Sequence, residues 1–168
     1  MALIARHIRT ACAAPDNRAA REAMMLGATT AGMAFSNASV ALVHGMSRPL
    51  GAFFHVPHGL SNAMLLPEIT AYSGPAALER YADCARAMGV AEEGEGSQSS
   101  VARLLDELRQ LNQDLQVPSP QAYGIDRARY EELLPLMASQ ALASGSPGNN
   151  PRVPTSDEII ELYRRIYA

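Results

Sequence analysis

Val40-Ala41-Leu42-Val43-His44-Gly45-Met46-Ser47-Arg48-Pro49-Leu50-Gly51-Ala52-Phe53-Phe54, running on through His55-Val56 into Pro57-His58-Gly59, organises the whole chain. Its apolar spacing predicts a helix over residues 40–54, a turn at Pro57-His58-Gly59, and a further helix to Tyr72. His44 sits mid-helix among apolar residues, where an imidazole needs a partner, because an unpaired buried polar group is costly. Gly45 removes a side chain beside it and lets another element approach closely. One histidine on a helix and a second at the following turn converge once the chain reverses, and neutral imidazole is a common ligand for first-row divalent metals. Two histidines at this spacing also fit a purely structural role, and spacing alone leaves both readings open.

Working outward, helical signals dominate on both sides. Residues 3–14 read as a helix ended by Pro15. Asp16 or Asn17 caps the next, which runs through Arg21, Met24 and Met25 to about Phe35, with Ser36-Asn37 and Ser39 expected to break and re-cap the chain. Downstream, residues 75–88 are predicted helical and end at Gly89. Residues 92–100 read as a polar surface loop, and residues 101–111 as a helix with Leu104, Leu105 and Leu108 as its stripe. A proline-containing segment over 117–120 precedes a helix over 126–143 and a Gly/Pro/Asn loop over 144–154. Thr155-Ser156-Asp157-Glu158 is a capping box that opens the last amphipathic helix through Ile159, Leu162 and Ile166. No strand alternation, internal repeat or Gly-rich strand–turn–helix element occurs. The expected fold class is therefore all-α: a multi-helix bundle of about seven or eight helices, forming one domain over 1–168.

Composition narrows the function classes. The 168 residues carry a formal net charge of −3, so no global basic field recruits nucleic acid or anionic lipid. Two cysteines, Cys12 and Cys84, stand in no metal-type spacing and do not suggest a secreted disulfide framework, which points to a reduced, cytoplasmic setting. No stretch of about 18 apolar residues exists to span a membrane, and the N-terminus lacks the pattern of a signal peptide. His7, between Arg6 and Arg9, reads as a solvated surface residue.

The segment from Ala31-Gly32-Met33-Ala34-Phe35-Ser36-Asn37-Ala38 through His44-Gly45-Met46-Ser47-Arg48-Pro49-Leu50-Gly51 to Val56-Pro57-His58-Gly59 closely resembles the histidine signature of iron-containing alcohol dehydrogenases. The continuation Ser61-Asn62-Ala63-Met64-Leu65-Leu66-Pro67, the distal Gly148-Asn149-Asn150-Pro151-Arg152, Thr155 and Leu162-Tyr163 extend the resemblance over essentially the whole chain. It implies a bundle like the C-terminal domain of the dehydroquinate synthase-like, iron-containing alcohol dehydrogenase fold. It further implies a metal-dependent, NAD(P)-linked alcohol dehydrogenase or aldehyde reductase with a small alcohol or aldehyde as substrate. The metal is Fe(2+), with Zn(2+) as the alternative, and NAD or NADP is bound in such enzymes by a separate Rossmann-like N-terminal domain. In the family one Asp and three His hold the metal, and His44 and His58 match two of the histidines. The Asp-x-x-x-His element that supplies the other two ligands has no match here, so the chain is expected to be inactive alone and to represent the C-terminal part of such an enzyme.

The resemblance assigns softer roles as well. Phe35 matches a position that lines the substrate pocket, with core packing as the alternative. Arg48 stands where many members have another histidine, and is expected either to bind a carboxylate or phosphate or to be a plain surface residue. His55 is expected beside the ligands or on the surface, and the loop over 144–150 either borders the cleft or merely connects helices. A partner is also implied. Uncovered apolar side chains, expected around Phe35, Met46 and Phe54, point to a homo-oligomer or to a separately encoded N-terminal half. The competing reading is a non-catalytic helical module that only folds and self-associates.

Overall fold

The computed structural model describes residues 1–168. The helices are α1 (Ala2–Ala13), α2 (Arg18–Ala38), α3 (Leu42–Phe54), α4 (His58–Ser73), α5 (Leu78–Met88), α6 (Ser97–Asp114), the single turn α7 (Pro120–Tyr123), α8 (Arg127–Ala143) and α9 (Ser156–Ile166). Short 3-10 turns lie at Gly74–Ala76 and Ser146–Asn149. There is no strand, as the absence of period-two patterning predicts. No single helix is long and apolar enough to cross a membrane. Backbone contacts divide the chain into two compact units, Met1–Ser39 with Ala77–Leu115 and Val40–Ala76 with Gln116–Ala168.

The first unit joins α1 to α2 and α5 to α6. Asn17 caps α2, its side chain accepting from the Ala20 N–H at 3.0 Å. At Gly27 α1 packs tightly against α2: a Cβ there would stand 2.8 Å from Ile4 Cγ1. Arg9 forks between Glu107 at 2.8 Å and Asp114 at 2.6 Å, tying α1 to α6. The small core is Ala85, Leu104 and Leu108, with Tyr81, Cys84 and Met88 against it. Cys12 and Cys84 are both free thiols.

The second unit holds the larger core, built from Leu42, Met46 and Leu50 of α3, Leu65 and Ile69 of α4, Tyr130, Leu134 and Met137 of α8, and Ile159, Leu162 and Tyr163 of α9. Three tyrosines bury their rings and still satisfy their hydroxyls, as a buried phenol must. Tyr163 donates to the Met46 carbonyl at 2.6 Å, Tyr130 to the Tyr163 carbonyl at 2.9 Å, and Tyr167 to the Ile125 carbonyl at 2.9 Å. Burial pushes the Tyr163 phenol well above its ordinary range, so it stays a neutral donor. The capping box of α9 forms as its sequence predicts, with Thr155 and Glu158 bonding each other's backbone. Glu158 also accepts from Tyr72 at 3.1 Å and pairs with Arg152, whose guanidinium lies 4.2 Å over the Tyr72 ring.

Several boundaries differ from expectation. α2 does not break at Ser36-Asn37. Both side chains bond back one turn, to the Gly32 and Met33 carbonyls at 2.8 Å, and the helix continues to Ala38 before Ser39 turns at φ 64°. α6 begins at Ser97, inside the expected loop. There Glu95 gathers Ser99 and Arg103 around the helix entrance, the latter at 2.8 Å. Pro75 lies in a 3-10 turn, and α5 starts at Leu78.

The expected exposures also need correction. Met46 is wholly buried and Phe54 packs on Tyr130 with ring centroids 5.8 Å apart, whereas Phe35 is 55% exposed. The first two sit on the apolar face of α3, which α8 and α9 cover.

Replacing Tyr163 by Phe leaves the buried Met46 carbonyl without this donor. The Leu50 N–H one turn on still meets that carbonyl, so the expected loss is that of one net hydrogen bond, about 0.5–1.5 kcal/mol, read from the denaturant midpoint. An unchanged midpoint would show that the bond contributes nothing net.

Candidate metal centre

α3 carries two interleaved rows at the four-residue spacing of a helix face. Leu42, Met46 and Leu50 form the buried row. His44 and Arg48 form the other, turned about 200° away by helix geometry, where His44 is half-buried and Arg48 exposed. Gly45, between the rows, admits Pro147: a Cβ there would meet its ring carbons at 3.0 Å. The close approach expected at this glycine is thus made by the 3-10 turn of the distal loop.

The chain reverses within three residues. His55 ends α3 in the left-handed region at φ 56°, Val56 is buried, and Pro57 precedes α4 at φ −53°. That reversal places His58 at the first position of α4 with its ring centroid 5.2 Å from that of His44, the planes inclined by 57°. Partial burial, then the neighbouring His58, then the fixed charge of Arg48 hold the His44 imidazole below its ordinary value, which favours the neutral form that donates to a metal.

Asn62, one turn along α4, sets its amide nitrogen 3.2 Å from His58 Nε2, while its Oδ1 is buried with no partner. Asn62 was not singled out from the sequence as a site residue. The signal was its four-residue spacing from His58 on a helix. The donor set suits a borderline divalent metal: two adjacent imidazoles, one biased neutral, beside an unused buried acceptor. No group of three or more His, Cys, Asp or Glu residues is arranged to hold an ion.

The remaining site residues fall elsewhere. His55 is exposed, and its role is in its backbone: its N–H bonds to the Gly51 carbonyl at 3.1 Å, and its own carbonyl accepts from the Tyr123 hydroxyl at 3.4 Å. Phe35 lies in the first unit, on the open face of α2, where it lines a groove with Leu3, Thr30 and Ala34. The distal loop is more than a connector. Asn149 donates to the Val40 carbonyl at 2.9 Å and Asn150 to Ser73 Oγ at 2.9 Å, so it clasps the start of α3 and the end of α4.

The chain belongs to the iron-containing alcohol dehydrogenase family: a sequence model of the family, described as Fe-containing alcohol dehydrogenase family, C-terminal, matches residues 1–167. It is 41% identical over 144 residues to the lactaldehyde reductase of Escherichia coli (strain K12), covering 86% of this chain and 37% of that protein. It is 36% identical over 166 residues to the 1,3-propanediol dehydrogenase of Citrobacter freundii, covering 98% of this chain and 42% of the relative. The chain thus spans well under half the length of these relatives. Among solved structures, a 1,3-propanediol oxidoreductase superposes with a TM-score of 0.91 at 35% identity, over 98% of this chain and 42% of that one. An alcohol dehydrogenase from Oenococcus oeni superposes with a TM-score of 0.89 at 34% identity, with the same coverage.

His55→Gly relieves a left-handed residue and removes no side-chain hydrogen bond or ion pair. It is expected to stabilise the chain by about 0.5–1 kcal/mol, measured by chemical denaturation. A lower midpoint would mean that the imidazole itself contributes.

Proposed function

We propose that this chain is the metal-binding helical part of a metal-dependent, NAD(P)-linked alcohol dehydrogenase or aldehyde reductase acting on small alcohols or aldehydes. The observation that carries the reading is the pair of imidazoles, His44 and His58, with ring centroids 5.2 Å apart. The family supports it, and so do the substrates named for the relatives: lactaldehyde, 1,3-propanediol and, in Clostridium saccharobutylicum, butanol.

In this reading His44 and His58 hold iron(II), with zinc as the alternative. The chemistry supplied by that ion when bound is Lewis-acid polarisation of the alcohol or carbonyl oxygen, with hydride exchanged with NAD or NADP. The chain's own residues prepare the site. Burial and neighbouring positive charge keep His44 available as a neutral donor. With its amide turned so that Oδ1 accepts from Nε2–H, Asn62 would fix the His58 ring and leave Nδ1 for an ion. The buried row of α3 and the clasping asparagines hold the two helices so that the rings need little reorganisation. No residue here is assigned to the nicotinamide.

A second reading draws on α2, where Met25, Leu26, Met33 and Phe35 are 72, 58, 67 and 55% exposed. Such side chains favour association, either with another copy or with the remaining part of such an enzyme, and a module serving only that purpose would need no metal.

Cobalt(II) titration of the purified chain, followed by its visible absorption, separates the two. Wild type is expected to bind one ion, and His44→Ala and His58→Ala each to weaken binding by at least about tenfold. Binding that both variants leave untouched would remove the metal reading.

A further inference from the structure

Arg48 is a fixed cation with no counter-ion. It stands one turn beyond His44 on the open row of α3, exposed, and no carboxylate pairs with it. Helix α3 contains no acidic residue, and the first on α4 is Glu68, ten residues and about 15 Å along the axis from His58. The charges that act on His44 are those of His58 and Arg48, with no carboxylate among them. The face therefore presents two imidazoles and one permanent positive charge. A guanidinium offers a planar fork of N–H donors matched to the oxygens of a carboxylate or phosphate. A divalent ion beside Arg48 would be repelled by it. An oxyanion between the two turns that repulsion into attraction on both sides.

We propose that Arg48 is a specificity-determining residue that anchors an oxyanion on the ligand engaged by the His44–His58 pair. The substrate class is then an alcohol or aldehyde that also bears a carboxylate or phosphate group, a departure from the neutral substrates named for the relatives. This rests on the reading of the imidazole pair as a ligand-binding centre. It deepens that reading by assigning the charge of what binds there.

The test uses the full chain with 15N-labelled histidine, following the imidazole resonances of His44 and His58. Glycolate, inorganic phosphate and neutral propane-1,2-diol are titrated into wild type, Arg48→Gln and Arg48→Lys, first without metal and then with zinc. In wild type, glycolate or phosphate is expected to shift both rings saturably and the diol to bind at least about tenfold more weakly. Arg48→Gln is expected to lose about tenfold in oxyanion affinity, the effect of removing one charge-assisted partner, and Arg48→Lys to keep part of it. Response to glycolate alone assigns a carboxylate and response to phosphate alone a phosphate; either outcome supports the proposal. Oxyanion affinity unchanged in Arg48→Gln, or diol binding as tight as glycolate, overturns it. Zinc separates the two readings. If zinc leaves the His44 and His58 resonances unmoved in every variant, the metal reading fails, while the metal-free titrations still decide the role of Arg48. Circular dichroism of Arg48→Gln confirms that this exposed position has not cost the fold.

Discussion

Helix α3 has to be buried along one row and open along the other, and the rest of the second unit is arranged to keep it so. Leu42, Met46 and Leu50 are fully buried. Burial of apolar side chains has no direction and would by itself let α3 slide or rotate. The bond from Tyr163 to the Met46 carbonyl supplies direction, since a hydroxyl meets a carbonyl well only within a narrow range of geometry. It falls beside a weak point. Pro49 has no N–H, so the Gly45 carbonyl loses its usual helical donor, and the backbone there is stiffened from outside instead. Tyr130 in turn holds the Tyr163 carbonyl, so α8, α9 and α3 are linked in a chain of buried hydrogen bonds. Rotating α3 to bury His44 would break that chain and expose three large apolar side chains. The outward row is thus a consequence of the inward one.

Much of this was legible from local pattern because local physics decides it. The capping box at Thr155, the stop at Gly89 with its positive φ, and the proline after α1 are signals whose cause lies within a turn of the chain. The misreadings occur where a polar residue has two options. Ser36 and Asn37 look like helix breakers because they compete for backbone bonds, but both spend that capacity on the carbonyl one turn back, and the helix survives. Residues 97–100 look like loop by composition. Tertiary packing made them helix, with Ser100 buried. The exposure of Met46 and Phe54 was beyond reach for a related reason. Apolar character says that a side chain will be covered wherever a neighbour exists, and only the fold says which neighbours exist.

The candidate site divides along the same line. That His44 and His58 approach one another follows from a helix, a reversal and a second helix start, all readable in order. Asn62 belongs to the stretch that carries the resemblance, but its contact with His58 is not marked in the sequence, because four-residue pairs on helices are everywhere and nothing in composition singles out the one that matters. His55 stood close in sequence to both other histidines, but the chain there is left-handed, so its backbone makes the reversal while its side chain stays in solvent.

The distal loop holds both helices from outside. His44 is the third residue of α3 and His58 the first of α4, so their separation depends on how the start of α3 is held as well as on the turn. Asn149 and Asn150 come from one loop and reach the two far ends, the Val40 carbonyl before α3 and Ser73 at the end of α4. Pro147 of the same loop sits against Gly45, the residue next to His44, at a distance that leaves no room for a methyl group without a shift. One short loop thereby fixes both the splay of the hairpin and the depth of α3 beside the imidazole. Its Gly/Pro/Asn composition reads as a connector, yet its side chains make it a clamp. The separation of the two rings is therefore set at two places, by the left-handed reversal at His55 on one end and by the asparagine clasp on the other.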